Sequence, residues 1–212
     1  MTNFIPIFPL AIVVYPGEQL NLHIFEPRYK QLINDCFEQK KPFGIPTVIN
    51  NEMKEMGTVV ELTAVSKRYE DGKMDINTKG IATFKVLEIV KELPDKLYKG
   101  AIVTYPHANM SGSTSLMKKI IEGIREIHKR LNIKKDFIKP DEALVSYDVA
   151  HHAGMAIEDE YLLLELELEL HRQEFLKRHI AKVLPVLKEM DLLKKKIKLN
   201  GHFNNLSGFK FS

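Results

Sequence analysis

The chain has 212 residues, of which 44% are hydrophobic, so it is long enough for one large domain or two modest ones with a real core. Its 31 basic and 28 acidic side chains leave a net charge of only +3, far from the strongly basic balance typical of nucleic-acid-binding proteins. The one cysteine, Cys36, excludes an internal disulfide and a multi-cysteine zinc site, and it favours a reducing, cytoplasmic location. No apolar run approaches the roughly 20 residues that span a bilayer, so no membrane association is expected.

The first elements of the chain are predicted to be two strands and a helix. The strands, at residues 12–15 and 19–25, are separated by the turn pair Pro16-Gly17. Pro27 is placed to begin the helix, because its missing N–H costs nothing in a first turn and its fixed φ suits a helix. Five residues at helical spacing predict the buried stripe of this helix: Tyr29, Leu32, Ile33, Cys36 and Phe37.

Further strands follow before residue 108. The dipeptide Asp71-Gly72 is the strongest hairpin signal in the chain, and Gly80 precedes a separate alternating run. The predicted strands are 43–49, 58–69, 73–77, 82–90 and 99–105. Six or seven short strands with frequent turns are enough to close a small antiparallel barrel.

The second half of the chain is predicted to be helical. Residues 106–115 form a linker rich in Ser and Gly, and Ser115 is the predicted N-cap of the next helix. The apolar residues of that helix are Leu116, Ile120, Ile121, Ile124, Ile127 and Leu131. Another helix is predicted from Pro140-Asp141 to Gly154.

A long helix is predicted towards the end of the chain. The alternating segment LLLELELELH, residues 162–171, suits a helix with a break near it. Pro185 predicts a kink rather than an end, because the heptad phase of the apolar residues runs unbroken across it. Those apolar residues are Leu176, Ile180, Val183, Leu187, Met190 and Ile197. Residues 200–212 are predicted to form a loose tail.

A cluster of His23, Glu26 and Arg28 is the first candidate for chemistry. Acid/base catalysis would require these side chains to converge on a substrate. A structural interpretation places His23 at a strand end, Glu26 near a helix N-terminus and Arg28 on the first helical turn. Because each position fits the local structure, we favour the structural interpretation.

Other candidate sites are weaker. Asp148 and His152, at helical i and i+4, could bind a metal better than the adjacent pair His151-His152, but no third ligand is visible. Cys36 lies on an apolar stripe, which favours packing over nucleophilic catalysis. The aromatic residues Phe4, Phe8, Tyr15, Phe25 and Tyr29 could form a nucleic-acid stacking platform, but core packing is favoured because no basic groove accompanies them.

No nucleotide or hydrolase motif accompanies these residues. The patterns G-x-x-x-x-G-K-[ST] and G-x-S-x-G are both absent from the sequence. We therefore expect no catalytic residues, no cofactor and no metal.

The opening of the chain resembles a known family. Residues 5–33, IPIFPLAIVVYPGEQLNLHIFEPRYKQLI, are similar to the start of the N-terminal domain of Lon protease. A second similar block has Gly57-Thr58 opening a strand, Asp71-Gly72 turning a hairpin and Gly80 before the next strand. A weaker match continues through Leu163-Leu164-Glu165 and Arg172.

The resemblance implies an α+β protein. Its expected parts are a PUA-like antiparallel β pseudo-barrel at 1–108, with one inserted helix, and an α-helical bundle at 109–212 with a long kinked helix and a loose tail. It also implies substrate recognition for an ATP-dependent protease, without catalytic residues in this region. The sequence lacks the ATPase and Ser-Lys peptidase modules of the full protease, so we expect a stand-alone form of the domain.

The leading functional hypothesis is a non-catalytic module that binds unfolded or client polypeptides and cooperates with a protease. The alternative is an RNA-binding module, because PUA-like barrels elsewhere bind RNA, and an enzyme is a third hypothesis. We expect the binding surface to be exposed apolar surface between barrel and bundle, although the sequence assigns no residues to it.

Overall fold

The β-rich part of the chain precedes the helical part, as predicted. The computed structural model describes residues 3–203, with side chains described up to residue 197. The strands are β1 (Asn3–Pro6), β2 (Gln19–Ile24), β3 (Phe43–Ile49), β4 (Glu52–Arg68), β5 (Met74–Val90) and β6 (Gly100–Thr104). The helices are α1 (Pro27–Gln39), α2 (Thr114–Leu131), α3 (Ser146–Val149), α4 (Ile157–Glu165) and α5 (Glu169–Phe203).

The strands form an antiparallel sheet that closes on itself. Its order is β1-β6-β5-β4-β3, and β2 pairs with the first half of β5. The chain just after β1 then runs parallel to β3, where Phe8 N donates to Gly44 O at 2.8 Å and Val48 N donates to Leu10 O at 2.8 Å. These bonds join the two ends of the sheet and make the predicted pseudo-barrel, so the predicted α+β fold class is confirmed.

The hairpin of β4 and β5 is longer than the sequence suggested. The turn is at Asp71-Gly72 as predicted, with Gly72 at a φ of +75°. The prediction of separate strands on either side of Gly80 is wrong, because β5 continues through it. Gly80 instead lets another segment approach the strand: Gly17 N donates to Gly80 O, and Gly80 N donates to Glu18 O at 2.8 Å. A Cβ at Gly80 would collide with Tyr15 O.

The segment 12–15 is not a strand, so that prediction is wrong, although all of its residues except Ile12 are buried. Val13, Val14 and Tyr15 are at most 2% exposed. Their backbone groups bond to side chains rather than to a neighbouring strand: Tyr15 N donates to Glu18 Oε2 at 2.9 Å, and Val14 O accepts from Thr58 Oγ1. The apolar composition of residues 12–15 correctly indicated that most of them are buried. The strand pairing that it also suggested does not occur in this described segment.

Helix α1 begins at Pro27 and buries Tyr29, Leu32, Ile33 and Cys36. Phe37, predicted to be buried with them, is exposed. It follows Cys36 directly and therefore lies about 100° around the helix from it. The buried stripe of α1 is therefore narrower than the helical spacing of its five predicted residues suggested.

Helix α2 begins two residues earlier than predicted. Its N-cap is Ser113, whose hydroxyl accepts from Leu116 N, so the prediction of Ser115 is wrong. Leu131 is half exposed because it is the last residue of the helix. The five other predicted apolar residues are buried.

The single helix predicted from residue 140 to 154 is wrong. The structure has two short 3₁₀ turns, Asp141–Ala143 and Ala150–His152, around the four-residue α3. Val145 is extended, and its N–H donates to Asp148 Oδ2 at 3.0 Å, which caps α3 and prevents a continuous helix.

The predicted break and the long helix are confirmed. Helix α4 ends at Glu165, and α5 then runs unbroken through Pro185. Leu176 and Ile180 are buried, but Met190 and Ile197, predicted to pack on neighbours, are exposed. Residues 200–203 of the predicted tail belong to α5, and residues 204–212 lie outside the described residues.

The apolar core of the helices includes side chains from the β-rich part. Val13, Tyr15, Ile49 and Met56 belong to the same cluster of buried residues as α2, α4 and α5. The division of the chain at residues 108 and 109 stays a prediction. None of the helices between residues 3 and 203 combines the length and hydropathy that a bilayer-spanning segment needs.

Candidate binding cleft between barrel and bundle

A cleft lies between the barrel and the helical part. One wall is the turn Pro16–Gln19, which leads into β2, and the other is the segment 135–152 with α3. Its volume is about 350 Å³, within the range of sites that hold a small ligand or a few side chains. The walls combine apolar groups with both signs of charge, and those used below are Ile138, Lys139, Leu144, Tyr147 and His151.

His151 links the two walls of the cleft. Its Nδ1 lies 2.8 Å from Glu160 Oε1 in α4, and its Nε2 lies 3.2 Å from Glu18 Oε2 in the barrel turn. Burial lowers the pKa of the imidazole, but the hydrogen bonds to Glu160 and Glu18 outweigh burial and raise the pKa to about 9. The imidazolium is therefore charged at neutral pH and holds the barrel to α4.

Aromatic stacking supports the same junction. The ring centroid of Tyr15 lies 4.8 Å from that of His151 and 5.2 Å from that of Tyr147. Tyr15 also donates from its hydroxyl to Glu160 O at 2.9 Å. Stacking and hydrogen bonds thus join the two sides at the base of the cleft, while Ile138 lies at its rim.

His152 points away from His151 towards α2. Its ring lies 5.5 Å from that of His128, and His128 Nε2 lies 3.0 Å from His152 O. Burial, followed by the nearby charges of Lys135 and His128, lowers the pKa of His152 to about 4. This imidazole is neutral at physiological pH.

Asp148 and His152, which were considered as a metal pair, do not form a ligand set. Asp148 accepts from Lys139 Nζ at 2.6 Å and from Val145 N at 3.0 Å, so its carboxylate caps α3 and binds a lysine instead of facing His152. Within residues 3–203, no group of three or more His, Cys, Asp and Glu side chains is placed to hold a metal ion.

The rim of the cleft carries an uncovered apolar side chain. Ile138 is 100% exposed, next to Lys139 and opposite the turn at Gly17. Single exposed apolar residues are common on protein surfaces, but an isoleucine at the rim of a concave surface is placed to contact a bound apolar segment. The cleft can hold such a segment by apolar contact with Ile138 and Leu144.

The cluster of His23, Glu26 and Arg28 does not converge on one site. His23 Nδ1 lies 2.6 Å from Asp75 Oδ1, and Tyr69 OH donates to the other oxygen of Asp75 at 2.8 Å. The hydrogen bonds from His23 and Tyr69 lower the pKa of the Asp75 carboxyl. Sequence reasoning missed Asp75, because its contact with His23 becomes visible only when β5 pairs with β2.

Glu26 and Arg28 bind each other at the start of α1. The distance from Arg28 Nη2 to Glu26 Oε2 is 2.7 Å, and the guanidinium lies 4.5 Å from the ring centre of Tyr29. Glu26 is the N-cap residue of α1, although its side chain makes no capping bond. The pair stays at the surface and fixes the junction between β2 and α1, which fits the structural interpretation.

Cys36 is buried in the packing of α1. Burial, and then the charge of Asp35, raises the pKa of its thiol to about 12. The thiolate that a nucleophile needs is therefore scarce at neutral pH.

The aromatic residues that were considered as a stacking platform lie in different places. Phe8, Tyr15 and Tyr29 are buried, as predicted. Phe4 and Phe25 are exposed, at 51% and 58%, so the prediction of core packing is wrong for them. Phe4 lies on β1, and Phe25 lies just after β2.

A buried ion pair near the linker was missed by sequence reasoning. Arg172 is 0% exposed and Glu169 is 1% exposed, and Arg172 Nη2 lies 2.9 Å from Glu169 Oε2. The pair also holds Ser146, whose N–H and hydroxyl donate to the two oxygens of Glu169 at 2.8 and 2.6 Å. The one signal of this ion pair in the sequence was the family resemblance, in which an Arg follows the Leu-Leu-Glu run.

Comparison with known proteins agrees with this architecture. The family model described as ATP-dependent protease La (LON) substrate-binding domain matches residues 5–174. Two solved structures are similar in fold: a Lon N-terminal domain protein from Xanthomonas campestris and the N-terminal domain of a Mycobacterium avium complex Lon protease.

The two structures match over most of their length. The Xanthomonas protein is 19% identical with a TM-score of 0.63, and the match covers 83% of this chain and 98% of that one. The Mycobacterium domain is 12% identical with a TM-score of 0.64, and the match covers 86% of this chain and 100% of that one. At these identities the structures show the fold, while the family model spans most of the chain. The chain therefore belongs to the family of ATP-dependent protease La (Lon) substrate-binding domains.

Proposed function

We propose that the chain is a non-catalytic module that binds exposed segments of unfolded or client polypeptides in the cleft between barrel and bundle. The observation that carries the proposal is membership of a substrate-binding family, with a match over residues 5–174. The cleft is the proposed site because its base is a hydrogen-bonded junction and its rim carries an exposed apolar side chain.

The chemistry of the cleft suits an extended polypeptide better than a reacting small molecule. Leu144 and Tyr147 supply apolar wall, and Ile138 adds a fully exposed apolar rim. The charged groups Lys139 and His151 are already bonded to Asp148, Glu160 and Glu18, so they hold the walls in place.

The module is proposed to act in the cytoplasm, where a protease is the natural further partner for a polypeptide-binding domain of this family. RNA binding remains the alternative. It predicts a salt-dependent mobility shift with structured RNA, because phosphate contacts release counterions. An unchanged mobility at low salt would remove this alternative.

Fluorescence anisotropy with a labelled, permanently unfolded polypeptide tests the proposal. We expect binding at micromolar concentration, and Ile138→Asp should weaken it at least about tenfold, because a charge replaces the apolar contact at the rim. The matched control is Leu87→Asp, which changes an exposed apolar residue of β5 outside the cleft and should leave the affinity unchanged.

Two results would contradict the proposal. Absence of binding to any unfolded polypeptide at micromolar concentration would remove polypeptide recognition. An equal loss of affinity in Ile138→Asp and Leu87→Asp would show that the binding site is not in the cleft.

A further inference from the structure

One edge of strand β2 pairs with no other strand in the described part of the chain. Its strand partner there is β5, in a regular antiparallel register from Gln19 opposite Lys79 to Ile24 opposite Met74. An unpaired edge carries a row of backbone N–H and C=O groups, and such a row can pair with a further extended chain. The other edge of β2 is therefore a place where a strand can be added.

Hydrogen bonds show which residues of β2 face β5. Gly80 N donates to Glu18 O at 2.8 Å, just before the strand begins, so the carbonyl of Glu18 points to β5. Thr78 Oγ1 donates to Leu20 O at 2.9 Å, so the carbonyl of Leu20 points the same way. In an antiparallel pair, the backbone groups of alternate residues face the same neighbour, so Leu22 also faces β5.

The residues between these leucines face away from β5. By the same alternation, the backbone N–H and C=O groups of Gln19, Asn21 and His23 point to the unpaired edge. Among the described residues, no backbone group outside β5 bonds to these three residues. Their side chains are exposed, so three alternate residues of the edge are open to an extended chain.

The core side chains next to this edge are only partly covered. Leu20 and Leu22 pack against the buried cluster that includes the inner face of α1, but both remain partly exposed. Ile24, at the end of the strand, is only 1% exposed. An added strand with apolar side chains on its inner face would cover the rest of the two leucines.

The free edge of β4 differs from that of β2. Strand β3 pairs with β4 only as far as Val60, which leaves residues 61–68 with one unpaired edge. This part of β4 contains two register shifts and ends with Lys67 and Arg68. Such irregularities and basic side chains hinder the addition of a strand. Strand β2 contains no register shift, no proline and no lysine.

The unpaired edge of β2 begins at the cleft. Gln19 is both the first residue of β2 and part of the turn Pro16–Gln19, which forms one wall of the cleft. A polypeptide that leaves the cleft along this wall therefore reaches the edge directly. The six residues of β2 then offer about 20 Å of further contact. Because backbone groups make this contact, it suits an extended segment of any sequence.

A second copy of the chain fits this edge less well. In a symmetric antiparallel pair of β2 strands, Ile24 of one copy would lie opposite Gln19 of the other. Helix α1 of the first copy begins at Pro27, three residues or about 10 Å further along. The segment 135–152 of the other copy forms the opposite wall of the cleft there, and the helix would meet it. An unfolded segment carries no such helix.

We propose that the unpaired edge of β2 binds an extended segment of an unfolded polypeptide as an additional strand, which continues from the cleft. Backbone hydrogen bonds to Asn21 and His23 hold the segment whatever its sequence, and its apolar side chains cover Leu20 and Leu22. The inference rests on the proposed function, because the bound polypeptide is the same client.

Backbone methylation of a probe peptide tests the added strand. The probe is a fluorescein-labelled peptide of about ten residues, with alternating valine and threonine between terminal lysines, and its binding to the full chain is followed by fluorescence anisotropy. N-methylation of every second residue removes the N–H groups from one edge of the peptide, and a second probe has the other set methylated. We expect one methylated probe to bind at least about tenfold more weakly than the unmethylated peptide and the other to bind within about twofold of it.

Two substitutions at one position test the same hydrogen bonds from the side of the protein. Asn21→Pro removes an outward N–H and should weaken binding of the unmethylated probe at least about tenfold. Asn21→Ala keeps the N–H and should leave the affinity unchanged. Because proline is tolerated where the N–H faces away from the sheet, we expect both variants to fold, and circular dichroism melting verifies this. If Asn21→Pro did not fold, the two methylated probes would decide the question.

Four results would overturn the added strand. The first is equal affinity of the two methylated probes, and the second is full affinity of a folded Asn21→Pro. If Ile138→Asp still weakened binding in either case, the proposed function would stand without the edge. The third is no binding of any unfolded polypeptide, which would remove the proposed function as well. The fourth is a dimer of the unmodified chain in sedimentation equilibrium that Asn21→Pro abolishes, which would assign the edge to a second copy.

Discussion

Replacing Arg172 with methionine should reveal the energetic importance of the buried ion pair. Arg172 Nε donates to Ser146 Oγ at 2.9 Å, and Nη1 donates to Leu166 O at 2.6 Å. Its guanidinium also lies 4.2 Å from the ring centre of Tyr147 and pairs with Glu169. Arg172→Met keeps the volume but leaves the Glu169 carboxylate buried without its cation.

The expected loss is about 3–5 kcal/mol, the usual cost of breaking a buried ion pair by removing one partner. That is a large share of the roughly 5–15 kcal/mol by which domains are stable. Urea unfolding followed by circular dichroism measures it. With an m-value of about 3 kcal/mol/M, the midpoint should fall by roughly 1 to 1.7 M.

A surface pair provides the matched control. Arg125 binds both oxygens of Asp141, at 2.7 and 2.8 Å, but its side chain is about half exposed. Arg125→Met should therefore cost less than about 1 kcal/mol. The reasoning is refuted if Arg172→Met costs no more than this control. The double variant Glu169→Gln/Arg172→Met should cost less than the sum of the single changes, because the two residues act on each other.

Two further predictions concern the junction between barrel and helices. The pKa of His151 is raised from 6.5 to about 9, so its contribution to stability is complete below pH 6.5 and is lost as pH rises through about 9. The shift corresponds to at most about 3 kcal/mol, and exposure of a third of the side chain reduces this to about 1–2 kcal/mol; urea unfolding of His151→Gln should lose this pH dependence. Gly80→Ala should destabilise the chain by more than about 2 kcal/mol in the same assay, because the added Cβ would collide with the backbone of Tyr15.

Each of these predictions has a control and a contradicting result. For His151, an unchanged pH profile in the glutamine variant would show that the pairs with Glu18 and Glu160 do not stabilise the fold. For Gly80, the control is Gly154→Ala, which has open space around it but a φ of +69°, so it measures backbone strain without a collision. Equal losses at the two glycines would remove the argument from close approach.

The correct predictions concern elements whose conformation is determined by residues close together in the sequence. Pro27 begins α1 because its φ is fixed, and Asp71-Gly72 turns the hairpin because glycine adopts the positive φ there. The heptad phase predicted that α5 runs through Pro185. In each case the deciding interactions lie within a few residues.

The wrong predictions concern segments whose backbone conformation depends on residues far away in the sequence. Gly80 resembled a strand end, yet it is a point of close approach for Gly17, more than sixty residues earlier. Ser146, the first residue of α3, donates from its N–H and its hydroxyl to Glu169, which lies in a different helix. Periodicity along the chain contains no information about such partners.

The candidate site shows the same limit. Sequence reasoning named the region between barrel and bundle but assigned no residues to it, and the placement of a binding site there stays a prediction. His151 was considered as a metal ligand and as part of a possible enzyme site. Its partners Glu18 and Glu160 lie in different elements, so its role as a charged link became visible only when the turn and α4 met.

The β-rich part depends on α4 to complete its surface, which has a consequence for synthesis. Met56 N donates to Tyr161 OH at 3.0 Å, and Tyr15 OH donates to Glu160 O at 2.9 Å. The ribosome makes α4 about 55 residues after β6, which takes roughly 3 to 11 s at 5–20 residues per second. Until α4 is made, Tyr15 and Met56 lack these hydrogen-bond partners, so we expect the nascent barrel to be more prone to aggregation than the completed chain.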